Sequence, residues 1–295
     1  MNDKNQLTLF AHGKINLGLD VLGRRNDGYH MVRMIMQTVS LADEVTLTKT
    51  DAPGITMTCD TASLPTNQDN LCMRAAYLLF DRYSLTGGLH INLKKRIFVA
   101  AGMAGGSTDA AAVFMGINRL YDLGLDQKTL QDYGVTLGAD IPYCMLGNTA
   151  LSEGIGEVLT PITPMHPYPV LIAKPPVGVS TKVIYEALDA LSDYPHPDID
   201  GLMEAIAADD LTKICKTMGN VLAEVTEPMV PEIKTIRSLM TENGAKGAMM
   251  TGSGPTVFGL FASEEQRDIC KDVLERSGLC QGVYGGSICT VSDPS

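Results

Sequence analysis

The segment Ala100-Ala-Gly-Met-Ala-Gly-Gly-Ser-Thr-Asp-Ala-Ala-Ala-Val-Phe114 constrains this chain more than any other, because a glycine-rich loop runs directly into an amphipathic helix. Gly102, Gly105 and Gly106 let the backbone turn several N–H groups toward one point, with no Cβ in a ligand's way. Ser107, Thr108 and Asp109 suit the first turn of the helix that follows. The free N–H groups and dipole of such a helix favour an anion. On this segment alone two readings stay open: a phosphate cradle, or a capped helix after a glycine turn. The run does not fit G-x-x-x-x-G-K-[ST], since Gly106 stands where the lysine belongs, and it offers no G-x-G-x-x-G. A phosphate held here needs its cation from elsewhere in the chain.

A net charge of -11 and a pI near 4.9 argue against a nucleic acid as the main partner, although a local pocket of donors can still hold a small phosphate ligand. With 45% hydrophobic residues and a mean hydropathy of +0.07, the composition is that of a compact soluble protein, with no apolar run of membrane-spanning length. The opening MNDKNQLTLFAHGK has neither the basic region nor the apolar block of a secretion signal, so a cytoplasmic address is expected. The 7 cysteines are widely spaced without a C-x-x-C pair, which fits buried thiols in a reducing compartment better than disulfides or zinc. The 5 histidines are equally dispersed, and no protein-built metal centre is expected.

At 295 residues the chain has room for two domains, and Pro161, Pro164 and Pro167 mark the expected boundary, giving units 1–160 and 161–295. Ile15, Leu17, Leu19 and Val21 alternate with Lys14, Asn16, Gly18 and Asp20, the period of a strand with one core-facing side. Further strands are expected at 44–48, 55–59, 89–93, 170–174 and 257–261. Helices are expected at 70–81, 107–123 and 126–133, at a segment opened by Pro231 and closed by Gly244, and after a Ser263/Gln266 capping box. This last helix carries Ile269, Val273 and Leu274, and 191–200 reads as a loop. Strands and helices mixed without strict alternation indicate an α+β fold.

Asp140, between a glycine turn and Pro142, is a rigidly placed carboxylate that serves equally as a turn cap or as a catalytic group. Phosphoryl transfer needs a carboxylate at the acceptor hydroxyl and a cation at the transferred group, a pair that Asp140 and Lys14 can supply. Met250-Thr-Gly-Ser-Gly-Pro-Thr256 is a second glycine-hydroxyl loop, in which Gly252 and Ser253 suit either a ligand or a tight turn. Tyr29 beside His30 joins an aromatic plane to a hydrogen-bonding ring, as a planar heterocycle requires, and Tyr185 offers another such plane.

Taken in order, Lys14-Ile-Asn-Leu-Gly-Leu, Arg24-Arg-Asn-Asp-Gly-Tyr-His30, Asp69-Asn-Leu71, Ala101 to Ala111, Thr136 to Pro142, Ser152 to Glu157 and Thr251 to Thr256 resemble the GHMP kinase family, over nearly the whole chain. The resemblance implies a two-domain fold, with an N-terminal domain like ribosomal protein S5 domain 2 and a ferredoxin-like C-terminal domain. It also implies transfer of the ATP γ-phosphoryl to the 2-hydroxyl of 4-diphosphocytidyl-2-C-methyl-D-erythritol, with Mg²⁺ carried by the nucleotide. By position, Asp140 would be the base and Lys14 would steady the acceptor oxygen. Asn70, Leu71, Lys95, Arg96 and the run Ala101, Gly102, Met103, Ala104, Gly105, Gly106, Ser107, Thr108 and Asp109 would bind ATP. Asn16, Tyr29, His30, Thr181, Tyr185, Gly252 and Ser253 would bind the acceptor, the two tyrosines around the cytosine and His30 at its edge. A monomer or weak homodimer is implied. Another acceptor, of homoserine or mevalonate type, and a non-catalytic nucleotide-binding module are the alternatives. The sequence departs from the family at Phe98, where a proline is usual, at Met103, where leucine is common, and at His12-Gly13 before Lys14.

Overall fold

Two long strands, β1 (Gln6–Arg24) and β2 (His30–Thr50), form the antiparallel hairpin on which the rest is built in the computed structural model, which describes residues 5–290. After it come β3 (Gly54–Cys59), α1 (Leu71–Tyr83), β4 (Gly88–Lys94), α2 (Gly105–Leu120), α3 (Gln127–Val135), α4 (Ile141–Leu146), β5 (Thr149–Glu153) and β6 (Val158–Pro161). The later chain gives β7 (Pro169–Lys174), α5 (Thr181–Asp189), α6 (Ile199–Ala207), α7 (Leu211–Thr217), β8 (Gly219–Asn220), α8 (Ala223–Met229), α9 (Glu232–Glu242), β9 (Gly247–Met250), β10 (Val257–Leu260), α10 (Glu264–Ser277) and β11 (Gly282–Ser287). The fold is α+β. One sheet of 7 strands runs β3-β4-β2-β1-β8, with β5 on β2 and β6 on β5, and a 4-stranded sheet runs β11-β7-β10-β9.

The strand β1 departs from simple alternation, and the departure shapes the site. Register shifts fall between His12 and Lys14, between Asn16 and Gly18, and between Val21 and Gly23. Each extra residue flips the faces beyond it. Ile15 and Leu17 therefore pack with Ile35 and Ile199, whereas Leu19 and Val21 join Met34, Met36 and Tyr143 on the opposite side. The expected single apolar face is corrected to two. Lys14 and Asn16, opposite Thr38 and Met36, share the side that Leu19 takes up after the shift. Both polar residues are buried rather than solvated.

Helices α1 and α2 cover one face of the large sheet through Ala76, Leu79, Ala110, Val113 and Phe114. Asn70 caps α1, its Oδ1 accepting from Cys72 N at 2.9 Å, as Asp126 caps α3 through Thr129 N at 2.7 Å. Two further core clusters join the sheets, Met36 and Leu171 lying in one, Ile35 and Phe258 in the other. The later chain also returns to the first sheet directly, through β8 on β1 and a bridge from Ile288 to Val39. In α10 the expected apolar face is shifted: Ile269 is 56% exposed, and Cys270 with Leu274 faces inward. The helix beginning α2 starts at Gly105 and stops at Leu120, short of Leu123, and Ile199 already opens α6 within the expected loop. Among the described residues no helix is long and apolar enough to cross a membrane.

Candidate active site

A cavity of about 860 Å³ opens between the two sheets, and Lys14 lies at its floor. The Lys14 ammonium donates to Asn16 Oδ1 at 2.7 Å and to the Gly102 carbonyl at 3.0 Å, while its backbone N–H donates to the Met103 carbonyl at 3.2 Å. The lysine missing from the glycine loop is thus supplied by β1 and fastened to that loop. Asn16 is fully buried and is gripped from the second sheet, since its backbone N–H donates to Thr251 Oγ1 at 3.0 Å. The Thr251 hydroxyl in turn donates to Asn16 Oδ1 at 3.4 Å. Thr251 follows β9 and is itself fully buried.

The two glycine loops meet backbone to backbone. Gly102 (φ 70°) and Gly252 (φ 57°) both adopt left-handed conformations. A Cβ on Gly102 would lie 2.3 Å from the Thr251 carbonyl oxygen, and one on Gly252 would lie 2.8 Å from that of Gly102. Only a residue without a side chain permits this approach. The loop ends at Ala104 in the left-handed region, and no side chain caps α2. The first N–H groups of α2 are therefore left for a ligand, the arrangement that binds phosphate. Phe98 enters the loop against β11, its ring only 2.4 Å from where a Gly282 Cβ would stand.

Below the loop, the buried Lys95 ammonium pairs with Asp109 at 2.6 Å and with Asp43 at shorter range. Asp43 also accepts the backbone N–H groups of Arg96 and Ile97. Burial pushes the Asp109 carboxyl up and Asp43 adds to it, so that the group reaches about 8 although Lys95 draws it down. Asp109 Oδ1 is buried without a hydrogen bond.

Asp140 stands at the start of α4, half-buried, and its carboxylate hydrogen-bonds to no described side chain or backbone group. Burial raises the thiol of Cys144 first, Asp140 raises it further and Lys14 lowers it, so both charges act on one buried sulfur. Burial and then Asp140 likewise raise the Tyr185 phenol. Also in the cavity lining, the His30 and Tyr185 rings lie 4.6 Å apart, tilted by 38°. His30 Nε2 is 2.7 Å from Asp189 Oδ1, and Thr181 Oγ1 is 2.9 Å from Ser253 Oγ.

The cavity lining contains every site residue expected from the sequence except Arg96 and Thr108. Arg96 turns outward to Asp60 at 3.1 Å, and the Thr108 hydroxyl donates to the His12 carbonyl at 2.8 Å. The Asn70 side chain is committed to its cap and to the Pro65 carbonyl, at 2.8 Å, and fixes the loop that edges the cavity. Sequence reasoning missed Asp43, Met34 and Asp189. Only Asp189 had a signal, its spacing of one helical turn from Tyr185.

The fold, the paired glycine loops and a cavity lined by both Lys14 and Asp140 are those of a small-molecule phosphotransferase. The chain belongs to the GHMP kinases: the model for their N-terminal domain matches residues 70–148 and that for their C-terminal part residues 202–279. It is 49% identical over 278 residues to the 4-diphosphocytidyl-2-C-methyl-D-erythritol kinase of Lachnospira eligens, covering 94% of this chain and 96% of that one. The enzyme of the same name from Lachnoclostridium phytofermentans is 50% identical over 259 residues, 88% of this chain and 89% of the relative. A crystal structure of 4-(cytidine 5'-diphospho)-2C-methyl-D-erythritol kinase superposes with a TM-score of 0.83 at 30% identity, over 97% of this chain and all 100% of that one. Homoserine kinase from Cytophaga hutchinsonii, at 19% identity and a TM-score of 0.79, shares the fold.

Proposed function

We propose that this chain transfers the γ-phosphoryl of ATP to the 2-hydroxyl of 4-diphosphocytidyl-2-C-methyl-D-erythritol, as a cytoplasmic enzyme of isoprenoid precursor synthesis. The observation that carries the reading is Lys14, held on the Gly102 carbonyl in the same cavity as the unpartnered Asp140 carboxylate. A cation on the glycine loop and a free carboxylate in the lining of the same cavity support a phosphate held at the loop and a proton acceptor for the hydroxyl. The His30 and Tyr185 rings in that lining supply a surface for a base, and the relatives' names supply the acceptor.

In this reading the nucleotide phosphates lie on the N–H groups of the Gly102–Ser107 loop and α2. Asp140 takes the proton of the acceptor hydroxyl as its oxygen bonds to the γ-phosphorus and the bond to the β-phosphate oxygen breaks. Lys14 offsets the charge that gathers on the transferring oxygens. No enzyme-bound phosphoryl intermediate is required, so catalysis rests on in-line positioning and charge stabilisation. Mg²⁺ bound to the nucleotide would neutralise the β- and γ-phosphates. Such an ion would take most of its ligands from phosphate oxygens and water.

The test is a coupled ATP-consumption assay with the cytidylyl acceptor beside mevalonate and homoserine. Turnover should require the cytidine diphosphate portion, and equal turnover of the other acceptors would overturn the assignment. Asp140→Ala should lower kcat by about 100-fold or more with ATP affinity nearly unchanged. A matching loss of ATP affinity would make Asp140 a structural group.

A further inference from the structure

We propose that Asp189 determines base specificity by positioning His30: it holds the imidazole in its Nε2–H form, so that Nδ1 accepts a hydrogen bond from the exocyclic amine of cytosine. The inference rests on the cytidylyl reading above and deepens it. Three observations carry it. First, Asp189 Oδ1 lies 2.7 Å from His30 Nε2. An ionised carboxylate only accepts, so the shared proton belongs to Nε2 and the neutral ring is left with Nδ1 as an acceptor. Nδ1 has no hydrogen-bond partner among the described residues, and the ring lines the cavity with its side chain only 11% exposed.

Second, Arg24 Nη1 meets the other oxygen of Asp189 at 3.3 Å. Arg24 thus holds the carboxylate from its other side and fixes the oxygen that faces the imidazole. Third, Tyr185 and Asp189 stand four residues apart on α5, the spacing that puts two side chains on one helix face. Tyr185 lies against the imidazole ring while Asp189 holds its edge, so one face of α5 fixes both plane and rotation of a residue from the first hairpin. A second group that orients a histidine in this way governs what the first can recognise.

The chemistry of the bases gives the consequence. Cytosine presents an amine at C4 and uracil a carbonyl. An acceptor Nδ1 pairs with the first and faces a lone pair on the second, a mismatch that polar sites reject strongly. The experiment measures kcat/KM for the cytidylyl acceptor and its uridylyl counterpart, with the wild type, Asp189→Ala and Asp189→Asn. The wild type should prefer cytidylyl by about 10-fold or more, and Asp189→Ala should lose most of that ratio while KM for ATP stays unchanged. Asp189→Asn, whose amide oxygen still accepts from Nε2, should keep it. Nitrogen-15 NMR of the histidine ring should show Nε2–H in the wild type and a tautomer mixture in Asp189→Ala. Equal losses on both bases, or a wild-type His30 protonated at Nδ1 near neutral pH, would overturn the role of Asp189. Failure of the wild type to use either acceptor would instead overturn the cytidylyl reading, and the NMR result would still decide whether Asp189 sets the tautomer.

Discussion

A single ammonium, that of Lys95, serves two buried carboxylates, Asp43 and Asp109. Burial draws the Lys95 group down, but Asp109 and Asp43 together outweigh it and the net direction is up. The carboxyl that bears the imbalance is Asp109, pushed up to about 8. In the unfolded chain the same group titrates near about 4. Between those values the folded state binds more protons than the unfolded one, so this group makes stability fall as pH rises through that window. Asp109→Asn keeps the shape without the ionisation. Urea denaturation at about pH 6 and about pH 9 should show the variant gaining on the wild type at the higher pH. An unchanged difference would remove the linkage. Asp109 was legible in the sequence as a residue of the first turn of the helix, and Lys95 through the family resemblance. Their shared partner Asp43 was not, because its separation of 52 residues from Lys95 leaves no local pattern.

At the scale of elements, period-two alternation identified β1 as a strand but not the faces its side chains take. Register shifts decide those, and the amphipathic pattern looks the same on either side of a bulge. Helices α4, α7 and α8 escaped notice for a related reason: at 6, 7 and 7 residues they are too short for a sustained helical period, and Pro228 lies inside α8. The glycine loops were the opposite case, visible at once in the sequence yet unreadable as a pair. Their packing makes Gly102→Ala a severe change, since the new Cβ meets the Thr251 carbonyl oxygen at a φ of 70°. We expect a loss of about 2 kcal/mol or more in stability, together with a raised KM for ATP, from chemical denaturation and steady-state kinetics. A variant with wild-type stability would mean that the two loops separate without cost.

Across the whole molecule, Thr251 joins the second sheet to β1 through one hydroxyl. Thr251→Val preserves the shape but removes the hydroxyl that accepts from the buried Asn16 N–H and donates to Asn16 Oδ1, so the acceptor of the Lys14 ammonium loses one of its fastenings. Thr251→Val should lower kcat by about 10-fold at little change in KM for ATP, and Thr251→Ser should restore most of it. Equal activity of the valine and serine variants would show that the hydroxyl has no part in holding Lys14. The glycine loops and most of the cavity lining could be read from residue order because each lies in a short contiguous motif, and the fold class from the order of those motifs along the chain. The orientation of those motifs toward one another could not, since it depends on contacts such as Asn16 to Thr251, 235 residues apart. That separation also sets a timetable for synthesis. A chain still leaving the ribosome can pair β1 with β2 early, but it stays catalytically silent until the stretch around Thr251 has emerged and docked. Truncation products that stop short of that stretch would accumulate as inert fragments rather than as uncoupled ATP-consuming ones.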